Sequence, residues 1–359
     1  MRPTRAEVDL GAIRHNIGQF ASLVAPAKVC AVVKADGYGH GDVPVAEAAV
    51  EAGAACLAVA LVEEGVRLRE AGVEAPILVL SEPVTTDAAE IVRWNLTPTV
   101  YRTEFVRALA SVATDPIDVH VKIDTGMHRV GAAPGALRGL VEAIGTGTPL
   151  RLGGVWTHFA VADEDPDFTH HQIALFREVV NGVAVPLHLA NTAGSVLYPE
   201  ARGDLVRVGL GVYGLHPCPD TRQVIELRPA MRVVSKVVHL QRLPEGARPS
   251  YGRRRPLPEE ATVATVPIGY ADGMPRRLSG QGGEVLIGGR RHPLAGTVTM
   301  DQIMVDVGDH PVSIGDEVVL IGRQGEEEIG ADDWAEKVDT ISYEIVCDIG
   351  PRVPRKYVG

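Results

Sequence analysis

Eight short apolar runs, at residues 29–34, 55–61, 76–81, 97–101, 117–124, 152–159, 186–190 and 205–210, alternate with amphipathic segments along the first part of the chain. This alternation restricts the fold more than any other feature, because the runs must pair with one another while the intervening segments cover their faces. Run interiors are apolar on successive residues, as in Ala31-Val32-Val33 and Ile77-Leu78-Val79-Leu80, which is the pattern of parallel strands buried on both faces. The segments between them have helical spacing; the one from Val62 to Ala71, for example, is closed by Gly72, a residue suited to a helix C-terminus. Eight such units predict an α/β fold, a (β/α)8 barrel of the TIM type. An open doubly wound sheet would carry much the same pattern, and the placement of polar residues separates the two.

The rhythm changes after Arg228-Pro229. Branched apolar runs at 233–240, 261–268, 284–287, 303–307 and 317–321 follow, separated by turn clusters such as Gly280-Gln281-Gly282-Gly283 and Gly288-Gly289, and helical spacing is nearly absent. The expected organisation is a barrel over residues 1–228 and a mostly β domain over 229–359, with roughly the first ten residues packing with the second domain. Charge narrows the partners: 35 Lys and Arg against 46 Asp and Glu give −11, which leaves no basic face for a phosphate backbone and argues against nucleic acid. Cys30, Cys56, Cys218 and Cys347 are scattered without a Cys-x-x-Cys pair. Neither a metal site nor a disulfide framework is expected, and the four read as buried thiols in a reducing cytoplasm. Glu7 and Asp9 fall where a signal peptide needs an apolar core, and no run approaches the roughly 18 apolar residues of a membrane span. A cytoplasmic protein with no membrane partner is expected.

The first run ends Val33-Lys34-Ala35-Asp36-Gly37-Tyr38-Gly39-His40-Gly41, with a lysine at the C-terminal end of a buried strand. Burial lowers a lysine pKa and frees the amine to attack carbonyls; the alternative is a lysine that snorkels over the rim. Lys122, Asp124 and Arg129 follow the fifth run, His158 ends the sixth, Asn191 and Thr192 follow the seventh, and Arg207 lies in the eighth before Gly209. Taken singly, Asn191 and Thr192 could cap a helix, His158 could sit in the core and Arg207 could pair with Asp204. Together they follow the rule that barrel active sites are built from the C-terminal ends of several strands. Asn191-Thr192-Ala193-Gly194 and Val208-Gly209-Leu210-Gly211 stand where barrels commonly bind phosphate with backbone amides. Tyr38 adds a hydroxyl beside Lys34. A carbonyl-reactive lysine with a phosphate cradle is the chemistry of pyridoxal 5'-phosphate (PLP).

With Glu7-Val8-Asp9-Leu10, Lys122-Ile123-Asp124-Thr125-Gly126-Met127, Ser250-Tyr251-Gly252, Gly269-Tyr270-Ala271-Asp272-Gly273, Met300-Asp301-Gln302 and Ile341-Ser342-Tyr343-Glu344, the chain closely resembles the alanine racemase family from end to end. Ser-Tyr-Gly and Gly-Tyr-Ala-Asp-Gly are the segments most specific to racemases. The resemblance implies a barrel joined to a C-terminal β domain, PLP as cofactor, and interconversion of L- and D-alanine, the source of D-alanine for bacterial peptidoglycan. It implies a head-to-tail homodimer with shared active sites, in which Lys34 carries the cofactor and Tyr251 enters from the other subunit. These two would be the bases on opposite faces of the α-carbon. By the same resemblance Arg207 faces the pyridine nitrogen and His158 packs on the ring, while Tyr38, Asn191, Thr192, Tyr343 and the backbone of Gly209 and Leu210 bind the cofactor around its phosphate. Arg129 and the Met300 backbone hold substrate, with Asp301 in support. Lys122 aligns with a lysine that many members carbamylate to orient that arginine. Asp163, Tyr270 and Arg276 belong to the substrate entrance.

Family members usually carry an arginine in the entrance segment where this chain reads Gly296-Thr297-Val298-Thr299-Met300-Asp301. Side-chain selectivity therefore stays open, and racemisation of serine or of a broader set of amino acids is the alternative. A PLP-barrel decarboxylase for basic amino acids places an acid against the pyridine nitrogen, and Arg207 argues against it. A non-catalytic PLP carrier is a barrel alone, and the 229–359 segment with Tyr251 argues against that.

Overall fold

All eight apolar runs of the first part become strands of one parallel sheet in a computed structural model describing residues 2–145 and 147–359. After β1 (Arg5–Asp9), these are β2 (Lys28–Val32), β3 (Cys56–Val59), β4 (Ile77–Val79), β5 (Thr97–Val100), β6 (Ile117–Lys122), β7 (Leu150–Trp156), β8 (Leu187–His188) and β9 (Leu205–Val208). Their order is β8-β7-β6-β5-β4-β3-β2-β9. The two ends of that order meet through the Asp204 amide, which donates to the Leu187 carbonyl at 2.8 Å, and the Arg207 amide, which donates to the Ala190 carbonyl at 3.0 Å. The sheet is thus a nearly closed barrel, not an open doubly wound sheet. Cys30, Ala31, Leu57, Ala58, Val59 and Ile77 are fully buried, as are Phe20, Phe105 and Phe176 from the covering helices Leu10–Val24, Thr103–Val112 and Pro166–Val179. Burying each of the Leu, Val, Ile and Phe side chains among them contributes on the order of 1.5–3 kcal/mol.

One irregularity in the barrel bears on its contents. Strands β6 and β7 shift register between Val119 and His120. Opposite the shift lie Gly153 and Gly154, where an added Cβ would come within 3.2 Å and 2.9 Å of the His120 ring. Two glycines inside a strand weaken it, and here the space they leave is filled by an imidazole.

The chain divides into two compact units. The barrel unit comprises Gly11–Gly37 and Asp42–Arg228; the other comprises the segment ending at Leu10, Tyr38–Gly41 and Pro229–Gly359. In the second unit, β10 (Met231–Lys236), β11 (His239–Leu243), β12 (Ala261–Val266), β13 (Glu284–Ile287), β14 (Arg290–Pro293), β15 (Ile303–Gly308), β16 (Glu317–Gln324), β17 (Glu327–Ile329) and β18 (Arg355–Val358) form two sheets. The larger runs β14-β13-β16-β10-β1-β18, with β17 on β16, and the smaller β11-β12-β15. Strand β1 pairs antiparallel with β10 and parallel with β18.

Three expectations need correction. The run at 233–240 is two strands, β10 and β11, in different sheets. Helices Ala331–Val338 and Ser342–Asp348 occupy a stretch expected to lack them. The first buries Trp334, Ala335 and Val338 on one face and starts where Asp333 Oδ2 accepts the Gly330 amide at 2.6 Å, a cap too short to register as periodicity. Of the cysteines only Cys30 is buried; Cys56 and Cys218 are half-buried and Cys347 is exposed, on the second of these helices. No helix among the described residues is long and apolar enough to cross a membrane.

Candidate active site

Lys34 follows β2 and is half-buried. The chain then turns left-handed through Ala35, Asp36 and Gly37, with φ of 53°, 53° and 59°. That conformation costs roughly 1–2 kcal/mol for each residue with a Cβ. Glu64 holds the turn in place: its carboxylate accepts the amides of Ala35 at 2.7 Å, Ala60 at 2.8 Å and Leu61 at 3.1 Å, tying the turn to the end of β3. The local sequence marks Glu64 at most as a helix-start residue accepting the nearby Ala60 and Leu61 amides; its hold on the turn comes from the Ala35 amide, a donor 29 residues away.

Arg207 is a buried cation, 3 % exposed, and among the described residues it has no carboxylate partner; Asp204 instead accepts the Leu187 amide. Its Nη1 donates to His188 Nδ1 and the His188 carbonyl, both at 2.9 Å, and its Nη2 donates to the carbonyls of Thr157 at 2.7 Å and Leu189 at 3.0 Å. His158 Nδ1 lies 3.4 Å from Nη2. The guanidinium stacks on Trp156, 4.4 Å from the ring centroid. No described hydrogen bond uses Nε. Burial lowers the Arg207 pKa to about 10, still cationic at neutral pH. His188 must be neutral to accept from Arg207, so its Nε2 carries the proton and donates to His120 Nδ1 at 2.8 Å. Burial first, then Arg207, keeps His188 well below the usual imidazole range. Burial likewise brings His120 down to about 4.

Lys122 closes β6, 4 % exposed, with Nζ 4.6 Å from the Trp156 centroid. Burial, then the charges of Arg207 and Arg129, bring its pKa to about 8. His158 is pushed well below the imidazole range by burial and by Arg207, Lys122, Arg129 and Lys34. Four cations thus surround it, while the Asp124 carboxylate opposes the fall at Lys122. Burial raises the Asp124 pKa, but amides of Gly126 at 3.0 Å and His128 at 3.1 Å outweigh it and hold the group ionised. Gln172, fully buried, fixes the turn beyond β7: its Nε2 donates to Thr125 Oγ1 and the His158 carbonyl, and its Oε1 accepts the Ala160 amide. Arg129 and Asp163 are exposed.

Asn191 caps the helix Thr192–Leu197, its Oδ1 accepting the Gly194 amide at 2.8 Å. The capping alternative therefore describes Asn191. Thr192 Oγ1 accepts the Gly209 amide at 3.1 Å, bringing that hydroxyl and amide together beside the turn Leu210–Tyr213, whose first amides have no intrahelical acceptor.

In the second unit, Tyr38 and Tyr343 face each other with ring centroids 6.2 Å apart. Burial raises the Tyr38 pKa, with Tyr343 adding to it, so the phenol stays protonated. The Gly-Tyr-Ala-Asp-Gly segment is a scaffold. Asp272, wholly buried, accepts the Gly269 amide at 3.0 Å and pairs with Arg2 at 2.7 Å and Arg352 at 3.2 Å. A Cβ on Gly269 would stand 2.2 Å from the Thr299 carbonyl, so glycine alone lets the two segments meet. They do so through the amides of Tyr270 and Ala271, which donate to the carbonyls of Thr299 and Met300. Tyr270, Met300 and Tyr251 are left exposed, and Asp301 pairs with Arg352 at 2.6 Å. Arg254, Arg255, Arg276 and Arg277 line a cavity of about 720 Å³ together with Thr297.

Residues 8–217 match the family described as alanine racemase, N-terminal domain, and residues 230–357 match alanine racemase, C-terminal domain. The chain belongs to the alanine racemase family. It is 46% identical to alanine racemase of Symbiobacterium thermophilum, over 100% of this chain and 98% of that protein, and 44% identical to alanine racemase of Halothermothrix orenii, over 99% and 97%. Among solved structures, alanine racemase from E. faecalis aligns with a TM-score of 0.95 at 36% identity, covering 99% of this chain and 98% of that one. Alanine racemase from Bacillus anthracis with bound L-Ala-P aligns at 0.93 and 38%, covering 100% and 96%. The residues of the barrel unit fit an anionic aromatic cofactor. The Lys34 amine, the Thr192 hydroxyl and Gly209 amide beside the turn Leu210–Tyr213, and the Arg207 Nε–H suit a carbonyl, a phosphate and an unprotonated ring nitrogen respectively.

Proposed function

We propose that this protein is a PLP-dependent racemase that interconverts L- and D-alanine as a homodimer with shared active sites, in the cytoplasm, supplying D-alanine for peptidoglycan. Arg207 carries this reading. A buried guanidinium without a carboxylate partner is a donor that keeps its proton, so it supports a ring nitrogen that stays unprotonated. A decarboxylase needs the opposite, an acid that protonates the ring.

PLP, when bound, supplies the π-system that withdraws electrons from the substrate's α-carbon. Lys34 would hold it covalently until the amine of alanine displaces it, which frees the Lys34 amine for proton transfer; Tyr38, Thr192, Tyr343 and the amides of Gly209 and Leu210 would bind its phosphate, Asn191 fixing the helix start on which Thr192 stands. His158, kept neutral, packs against the ring. Arg129 and the Met300 backbone hold the substrate carboxylate, and Asp301, through Arg352, steadies the Met300 segment. Tyr251 of the partner subunit takes the α-proton of L-alanine, and Lys34 returns a proton to the opposite face; from D-alanine the roles reverse. Lys122, neutral above about pH 8, takes up CO2 and releases a proton to become a carbamate, which turns a repelled cation into an anion that orients Arg129. Asp163, Tyr270 and Arg276 line the entrance.

The purified protein with PLP should bring the circular dichroism of L-alanine to zero, with D-alanine appearing in equal amount. Release of CO2 from an amino acid, or unchanged L-alanine, would contradict the reading.

A further inference from the structure

The loop that bears Tyr251 is held in an unfavourable backbone. Ser250 has φ 70° and ψ −176°, a region populated almost only by glycine. Gly252 and Arg253 follow at φ 72° and 46°. A conformation of this kind persists only where its surroundings fix it. The fixing contacts come from the segment at Gly296-Thr297. Thr297 Oγ1 donates to the Tyr251 carbonyl at 2.8 Å, and Ser250 Oγ donates to the Thr297 carbonyl at 2.6 Å. A Cβ on Gly296 would lie 2.5 Å from the Pro249 carbonyl, so glycine permits the close approach. Arg248 Nη1 adds a bond to the Arg253 carbonyl at 3.1 Å.

Thr297 is 5 % exposed while Tyr251 is 71 % exposed. The clamp is therefore buried and the ring is presented. Thr297 also stands where family members usually carry an arginine, which lacks a hydroxyl on Cβ. We propose that Thr297 is a positioning residue in this chain: its hydroxyl fixes the main chain at Tyr251 and so aims the phenol at the α-carbon. This rests on the assignment of Tyr251 as the base for L-alanine. Loss of one neutral hydrogen bond costs a few-fold, and misaiming a base by about 1 Å costs up to about 10²-fold, so an effect near tenfold is expected.

The test compares wild type, Thr297→Val, Thr297→Ser and Tyr251→Phe as PLP-loaded dimers, following α-proton exchange from L- and D-alanine in deuterated water. Thr297→Val keeps the shape and removes the donor. It should slow exchange from L-alanine about tenfold and leave the D side nearly unchanged, because Lys34 serves that side. Thr297→Ser should restore the rate. In the protein without PLP, amide exchange at residues 250–253 should quicken in Thr297→Val and recover in Thr297→Ser. Equal slowing on both sides, or unchanged L-side rate and amide exchange, would overturn the positioning role. If Tyr251→Phe itself spares the L side, the assignment of Tyr251 falls, and the role of Thr297 with it.

Discussion

Lys122 has a pKa brought down to about 8, by burial first and then by the charges of Arg207 and Arg129. Because CO2 adds to the neutral amine, carbamylation should rise as pH passes upward through about 8. Protein equilibrated with 13C-labelled CO2 should show a carbamate carbon resonance that is lost in Lys122→Ala; no such signal at pH 9 would contradict the assignment. Lys34, Lys122, His158 and Arg207 were all legible in the sequence, because a charged or polar residue at the end of an apolar run has few reasons to be there. Glu64 and Gln172 were not, and Thr297 stood out only as a departure from the family, without its bond to the Tyr251 carbonyl. Each acts on backbone amides or carbonyls brought near only by the fold, and a side chain that serves a distant main chain leaves no spacing to read. His120 was hidden for a related reason, since its signal is the pair of glycines that make room for it, 33 and 34 residues later in the chain.

At the scale of elements, those glycines give a sharp contrast. Gly154→Ala would bring a Cβ to 2.9 Å of the His120 ring, where the hydrogen bond to His188 fixes the imidazole. Overpacking of this kind costs on the order of 1–3 kcal/mol. Gly139→Ala, in the helix Leu137–Gly145 with nothing within 4 Å of the added atom, should instead stabilise by about 0.5–1 kcal/mol. Denaturant midpoints of the two variants should move in opposite directions, and a Gly154→Ala protein as stable as wild type would show that the notch is not filled as described. The eight barrel strands were legible because burial on both faces leaves unbroken apolar runs. The second unit was read less well. Its helices Ala331–Val338 and Ser342–Asp348 span barely two turns each, and the division of one apolar run between β10 and β11 depends on which sheet each half joins.

The whole molecule presents Tyr251, Tyr270 and Met300 to its surface, 71 %, 42 % and 51 % exposed. Three large side chains of the proposed catalytic and entrance groups left uncovered on one chain accord with a partner that completes the site, as a two-fold dimer would. If each site takes Lys34 from one chain and Tyr251 from the other, a mixed dimer of Lys34→Ala and Tyr251→Phe chains has one site with both changes and one with neither. Each variant alone should be inactive, and after subunit exchange alanine racemisation should return to about a quarter of the wild-type rate, since random pairing makes half the dimers mixed and each has one intact site. Mixtures that stay inactive after exchange has been demonstrated would contradict the central claim, that Lys34 and Tyr251 from opposite subunits form the pair of bases.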